Sequence, residues 1–275
     1  MDRGTTANPG TANPGTAANP GPQTNPGTAA SPGTTAVLGT TVSNARTELV
    51  CAWVCAICLA CTALGFFVIS GFVPPPRADL TAPEIARFYA DNAGRIRLGI
   101  VITFLSWTGW GTLVAGLSSQ MLRIPGRPIA LSLLQGIGGG VGLVFLLLPT
   151  IILGIAAFRP ERSPDTTQAL HDLGWIVAFM PIVPFVLQGL AIAFAVLQDT
   201  TPEPFYPRWF AYANIWACVL FVPGGVLLFF KTGPLAYNGL FVFWIPFIIF
   251  GAWILLLAWI VRRTALRDLA AARAG

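Results

Sequence analysis

Apolar positions fall in six blocks, over about 49–73, 97–120, 129–157, 173–198, 209–230 and 238–261, with short polar segments between them. A helix that crosses a ~30 Å hydrocarbon core needs roughly 20 apolar residues. Each block meets that length, so the pattern predicts an all-α integral membrane bundle of about six transmembrane helices. The third block is too long for an upright span. Its middle reads Gln135-Gly-Ile-Gly-Gly-Gly-Val-Gly142 and Pro149 follows, so a tilt, kink or break is expected there.

Two of the polar segments carry local signals. Val73-Pro-Pro-Pro-Arg77 makes a stiff exit from the first block. Thr81-Ala-Pro-Glu84 then reads as a capping box with proline near the helix start. Ile85, Phe88 and Tyr89 share one helical face, while Arg87, Asp91 and Arg95 stand at i,i+4 spacing. Together they predict a short interfacial helix separate from the second span. Ser163-Pro164-Asp165 has the order of N-cap, first helical residue and acidic first turn. The fourth span is expected to begin there and enter the membrane at Asp172.

Composition agrees with this class. Hydrophobic residues make up 55% of the 275 and charged residues 10%, against roughly 25% charged in a soluble domain. Mean hydropathy is +0.70. The chain divides into a tail over 1–46, a transmembrane domain over 47–262 and a short basic tail over 263–275. In the first of these, Asn8-Pro-Gly10, Asn13-Pro-Gly15, Asn19-Pro-Gly21, Asn25-Pro-Gly27 and Ser31-Pro-Gly33 recur between Thr and Ala spacers. Each unit is a turn signal, and no large apolar residue precedes Val37 to offset the entropy of ordering. This region is expected to be disordered. Proline after each asparagine rules out N-glycosylation at the repeat.

The net charge of +5 changes the picture little. Arginines sit at the ends of apolar blocks, as membrane anchors do. No basic cluster with interleaved aromatics lies outside the blocks, so nucleic acid is not an expected partner. With six spans both termini share one side. Placing them in the cytoplasm puts nine of the 16 basic residues inside and seven outside, a weak positive-inside bias. The expected location is the plasma (inner) membrane. Phe205, Tyr206, Trp209, Phe210 and Tyr212 read as an interfacial aromatic belt.

Candidate chemistry is sparse. Cys51, Cys55, Cys58 and Cys61 form one stripe of the first span. Packing of small apolar residues accounts for it better than metal or redox chemistry, since no histidine or carboxylate joins them. Gly138, Gly139 and Gly140 are candidates for a helix break or for close helix contact through Gly136/Gly140 or Gly138/Gly142. Pro223, Gly224 and Gly225 form the strongest breaker, and Pro149, Pro181, Pro184 and Pro246 lie in the other late spans. Arg95, Arg97, Arg159, His171 and Asp172 fall on the outer side and form a candidate polar vestibule. There Asp172 would pair with an arginine, and His171, the sole histidine, is of the type that titrates near neutral pH. Gln135, Gln188 and Asn214 are expected to bond across helices.

A single histidine excludes bis-histidine haem and multi-histidine metal boxes. No phosphate loop, H-E-x-x-H or G-x-S-x-G motif is present, and no cofactor is expected. Through Gly71-Phe-Val-Pro-Pro-Pro76, Asp172-Leu-Gly-Trp175, Pro207-Arg-Trp209 and Lys231-Thr-Gly-Pro234, the chain resembles multi-pass membrane proteins of actinobacteria to which no function is assigned. The resemblance spans roughly 50–262 and implies the six-span bundle, but no activity or site. The leading expectation is binding or transport of a small apolar or amphipathic molecule or lipid. A second is a non-catalytic subunit or scaffold that meets a membrane-protein partner or its own copy. A third is a membrane-interface enzyme working through Asp172 and His171.

Overall fold

The computed structural model describes residues 32–126 and 128–274, and of 32–41 the backbone alone. Most of the Asn-Pro-Gly repeat therefore lies outside the described residues. The chain is all-α: α1 Pro32–Ala63, α2 Ala82–Ser106, α3 Thr108–Met121, α4 Ile129–Phe158, α5 Pro164–Phe179, α6 Val183–Gln198, α7 Arg208–Phe221 and α8 Ile245–Ala274, with no strand among the described residues. These helices and their short extensions make six stretches long and apolar enough to cross a membrane: Val42–Ile69, Ala82–Met121, Ile129–Phe158, Pro164–Gln198, Arg208–Phe229 and Leu240–Ala274.

The six stretches follow the six apolar blocks, but their ends differ. The expected interfacial helix is instead the first part of α2. Its capping box forms, the Thr81 N–H donating to Glu84 Oε2 at 2.8 Å. From that cap the helix continues to Ser106 without a stop, because no Gly or Pro interrupts it until Gly94, which a helix tolerates. The second stretch of 40 residues exceeds what a bilayer needs, so its charged first turns stand beyond the hydrocarbon. There Ile85, Tyr89 and Ile96 close a second core with Phe72, Trp175 and Tyr237. Residues 70–81 and 230–239 pass over this end of the bundle.

Close helix contacts follow small residues. α1 packs on α3 and α8, α4 on α5 and α6, and α6 on α7. Cys58 and Cys51 lie against Gly109 and Gly116, where an added Cβ would come 2.4 Å and 3.2 Å from the cysteine Cβ atoms. Both pairs are seven residues apart on antiparallel helices, so the cysteine stripe is a helix seam. All five cysteines are free.

α4 runs unbroken through the glycine-rich stretch. Gly138 abuts the Pro184 carbonyl and Gly142 the Phe185 ring, while Gly139 abuts Val114. The glycines admit neighbours on two sides and the helix has no need to open. Gly140 faces open space, so Gly136/Gly140 is not a packing pair.

Departures from α geometry occur elsewhere. Leu64–Ile69 and Leu240–Trp244 are π-helical and Val222–Phe229 is a 3-10 helix. The fourth stretch opens between α5 and α6. Pro181 has no N–H for the Val177 carbonyl, and the Ile182 N–H turns to the Met180 carbonyl at 2.7 Å.

Candidate functional site

All of these irregular segments meet around one cavity of about 170 Å³. Phe66 and Phe67 reach it from the first π segment, and Trp107 from the joint between α2 and α3. Pro149 comes from α4, Pro181 and Ile182 from the opening between α5 and α6, Gly224 from the 3-10 segment, and Val242 and Phe243 from the second π segment. Each of the six stretches contributes to the wall. Non-helical backbone is stable at membrane depth only where protein or a cavity satisfies it, and here one chamber collects it.

The wall is mostly apolar, and nearly half of its residues are aromatic. Trp175 lies parallel to Phe179, with an interplanar angle of 1° and centroids 6.1 Å apart, and Phe243 meets both edge-on. Among the described residues no Asp, Glu, Lys, Arg or His lines the chamber. Among its polar groups the Thr103 hydroxyl donates to the Gly99 carbonyl at 2.8 Å, and the Thr150 hydroxyl to the Leu146 carbonyl at 2.8 Å. Trp107 Nε1 donates to Thr150 Oγ1 at 3.4 Å. The Thr62 hydroxyl and the Trp175 indole N–H are buried without a partner among the described residues.

Behind Trp175 stands a buried polar chain. Tyr89 and Tyr237 place their hydroxyls 3.0 Å from His171 Nδ1 and Nε2. A neutral imidazole donates through one nitrogen and accepts through the other, so one ring serves both tyrosines. Burial, with the charges of Asp172 and Asp79 adding to it, holds the Tyr237 phenol above its ordinary range. It therefore stays protonated. Tyr237 stacks on Trp175 at 5° and 5.8 Å, so the chain fixes the indole's orientation.

This arrangement replaces the expected vestibule. His171 has no exposed surface, and each ring nitrogen lies within hydrogen-bond distance of a tyrosine hydroxyl. Asp172, one residue on, turns to the flank of α5 and is half-buried. It forms no ion pair among the described residues. The three arginines are exposed and spent locally: Arg95 on the Val68 carbonyl, Arg97 on the Ala93 carbonyl and Arg159 over the Phe158 ring. The buried amides behave unequally. Gln135 accepts from Ser118 at 2.6 Å and Asn214 from Trp253 at 2.8 Å, whereas neither side-chain polar atom of Gln188 has a partner among the described residues.

Gly224 and Gly225 differ sharply although adjacent. A Cβ on Gly224 would sit 2.5 Å from the Phe179 carbonyl oxygen, and one on Gly225 would meet only Ile182 Cδ1 at 3.4 Å. Gly224→Ala is expected to cost about 1–3 kcal/mol and Gly225→Ala less than about 0.5 kcal/mol, measured by denaturant unfolding in bicelles. Equal losses would mean that the 3-10 segment does not press on Phe179.

Sequence reasoning also missed a polar network at the end of the bundle that holds Glu48 of α1, the last turn of α3 and the C-terminal half of α8. Glu48, 2% exposed, accepts from Ser119 at 2.8 Å, Gln120 at 2.9 Å and Arg123 at 2.7 Å. Arg123 also bridges to Asp268 at 2.5 Å. Gln120 reaches the Val261 carbonyl at 2.9 Å and accepts from Tyr206 at 2.8 Å. Tyr206 and Phe210 are thus core residues, and only Trp209 and Tyr212 of the expected belt are exposed. Asp199 shapes the loop that delivers Tyr206 by accepting from the Phe205 N–H at 2.7 Å and the Thr201 hydroxyl at 2.6 Å. Opposite charges at one membrane end, Glu48 against Arg123 and Asp268 in the basic tail, were the available signal.

Comparison with models of protein families, with curated proteins and with solved structures finds no match to this chain.

Proposed function

We propose that this multi-pass membrane protein binds a small, neutral, apolar or weakly amphipathic molecule in its aromatic cavity and exchanges it with the surrounding lipid. The observation that carries the reading is the convergence of the two π segments, the 3-10 segment and the opening between α5 and α6 on one chamber. Ligand sites within membrane bundles form where discontinuous helices meet, and small-molecule sites are concave and mostly apolar with few polar groups. A charged ligand would lie there unpaired, at prohibitive cost. The proposal includes residence in the plasma membrane with both termini cytoplasmic, supported by the excess of basic residues on that side.

Fluorobenzene, followed by fluorine NMR in protein-loaded against empty nanodiscs, tests this. The protein is expected to hold a saturable bound population beyond simple partition. Ala178 lines the chamber, and Ala178→Leu fills part of it. That variant is expected to bind about tenfold or more weakly, the equivalent of ~1.4 kcal/mol, with its melting temperature kept or raised. The absence of a saturable population, or undiminished binding by a folded Ala178→Leu, would overturn the reading.

A further inference from the structure

We propose that the C-terminal half of α8 seats the headgroup of an anionic phospholipid on the surface of the bundle, with Arg262 and Arg263 as its phosphate ligands. Neither residue lines the cavity, so this seat is separate from the site described above. Both arginines are exposed and form no ion pair among the described residues. Each lies over an indole instead. Arg262 is 5.5 Å from the ring centroid of Trp53, across the seam with α1, and Arg263 is 5.4 Å from that of Trp259, one turn back on α8. Trp259 in turn meets Trp209 of α7 at 6.0 Å. The three rings are 52%, 43% and 47% exposed, so a cation adjoins open apolar surface on both flanks of the helix. Tryptophan favours the boundary between lipid and water. An indole covers one face of a guanidinium and leaves its edge free, where the N–H donors point. That fork pairs bidentately with phosphate. The fitting partner brings an anion level with hydrocarbon, which is the chemistry of a phospholipid.

Charge decides between an anionic and a zwitterionic headgroup. Among the described residues this end of the bundle carries seven arginines against four carboxylates, and the opposite end seven cations against six. Two of the four carboxylates, Glu48 and Asp268, are already held by Arg123. At the opposite end the arginines are committed within the protein, Arg77 to Asp79 and Arg95 and Arg97 to backbone carbonyls. A zwitterionic lipid brings no net charge and leaves the excess standing. An anionic one offsets it, and each arginine near an anionic membrane surface strengthens binding about fivefold.

Dioleoyl phosphatidylglycerol and dioleoyl phosphatidylcholine share their acyl chains and differ in headgroup charge. Each is titrated into the full chain in non-ionic detergent, and bound lipid is counted by native mass spectrometry. Phosphatidylglycerol is expected to bind about tenfold or more tighter. Arg262→Gln/Arg263→Gln is expected to bring the two lipids within about threefold of each other by weakening phosphatidylglycerol alone. Arg46→Gln/Arg273→Gln removes the same charge from arginines that lie over no ring among the described residues, and is expected to lower the preference by about threefold or less. Should the first pair fail to fold, Arg262→Lys/Arg263→Lys keeps the charge and loses the fork, and an undiminished preference there would overturn the assignment of the two ligands. Equal affinities for the two lipids on the unsubstituted protein would overturn the proposal outright. Equal losses in the two glutamine pairs would mean a diffuse attraction in place of a seat, and would overturn it as well.

Discussion

Arg123→Met is expected to destabilise the protein by about 3–5 kcal/mol, because it strands a buried carboxylate. Glu48 is 2% exposed, and Arg123 is the cation that faces it, at 2.7 Å. The methionine keeps the bulk of the side chain and removes two charge-assisted hydrogen bonds, to Glu48 and to Asp268. Restoring electrical balance is expected to restore most of the stability. In Glu48→Gln/Arg123→Met the amide oxygen can still accept from Gln120 and the amide N–H can donate to the Ser119 hydroxyl oxygen, groups that lie 2.9 Å and 2.8 Å from the two present carboxylate oxygens. Unfolding by sodium dodecyl sulfate in bicelles, run on both single variants and the double, gives the coupling directly. A loss below about 1 kcal/mol for Arg123→Met, the range of an exposed pair, would mean that water reaches Glu48. The network would then not tie α1, α3 and α8 together.

The six stretches were legible because burial in lipid writes itself as length and hydropathy, two properties local to each block. The capping box at Thr81 and the proline start at Pro164 were legible for the same reason, since each needs only four neighbouring residues. What failed was separation. The charged turns before Arg97 look interfacial by themselves, yet Tyr89 faces His171, 82 residues away, and that contact pulls the segment into the bundle. Glu48 stands at the edge of the first apolar block with partners more than 70 residues on. No periodicity connects them.

The chamber was half legible. Prolines and glycines in the late spans marked where helices would deviate, and Pro181 and Gly224 do line the cavity. Gly138 and Gly139 carried the same signal and turned out to be contact surfaces, because Pro184, Gln188 and Val114 fill the space a Cβ would take. A glycine admits a neighbour or frees the backbone, and only the facing helix decides which. The two π segments were not visible at all, since the second holds neither glycine nor proline and the first only the single Gly65. Their geometry follows from packing, as the last case shows.

Gly99→Ala is expected to be among the most damaging single-methyl changes in the chain, costing about 3 kcal/mol or more. Gly99 sits on α2 opposite the first π segment, where an added Cβ would lie 2.2 Å from the Gly65 carbonyl oxygen, 2.1 Å from Ser70 Oγ and 2.8 Å from Ser70 N. The Gly65 carbonyl is the acceptor of the π turn: the Ser70 N–H and the Ser70 hydroxyl both donate to it at 3.0 Å. Backbone cannot step aside as a flexible side chain can, so the methyl must push the π segment off α2. Phe66 and Phe67 ride on that segment and line the cavity, so ligand binding should fall together with stability. Gly94→Ala is the matched control, five residues earlier on the same helix with nothing within 4 Å of the new Cβ. It is expected to be neutral or to stabilise by about 0.5–1 kcal/mol, since alanine is the better helix former. Measured side by side in bicelles, the two alanines should differ in sign or by several-fold. Similar values would show that α2 and the π segment are held apart by more than the contact between Gly65 and Gly99, and the cavity wall at Phe66 would have to be set by some other constraint.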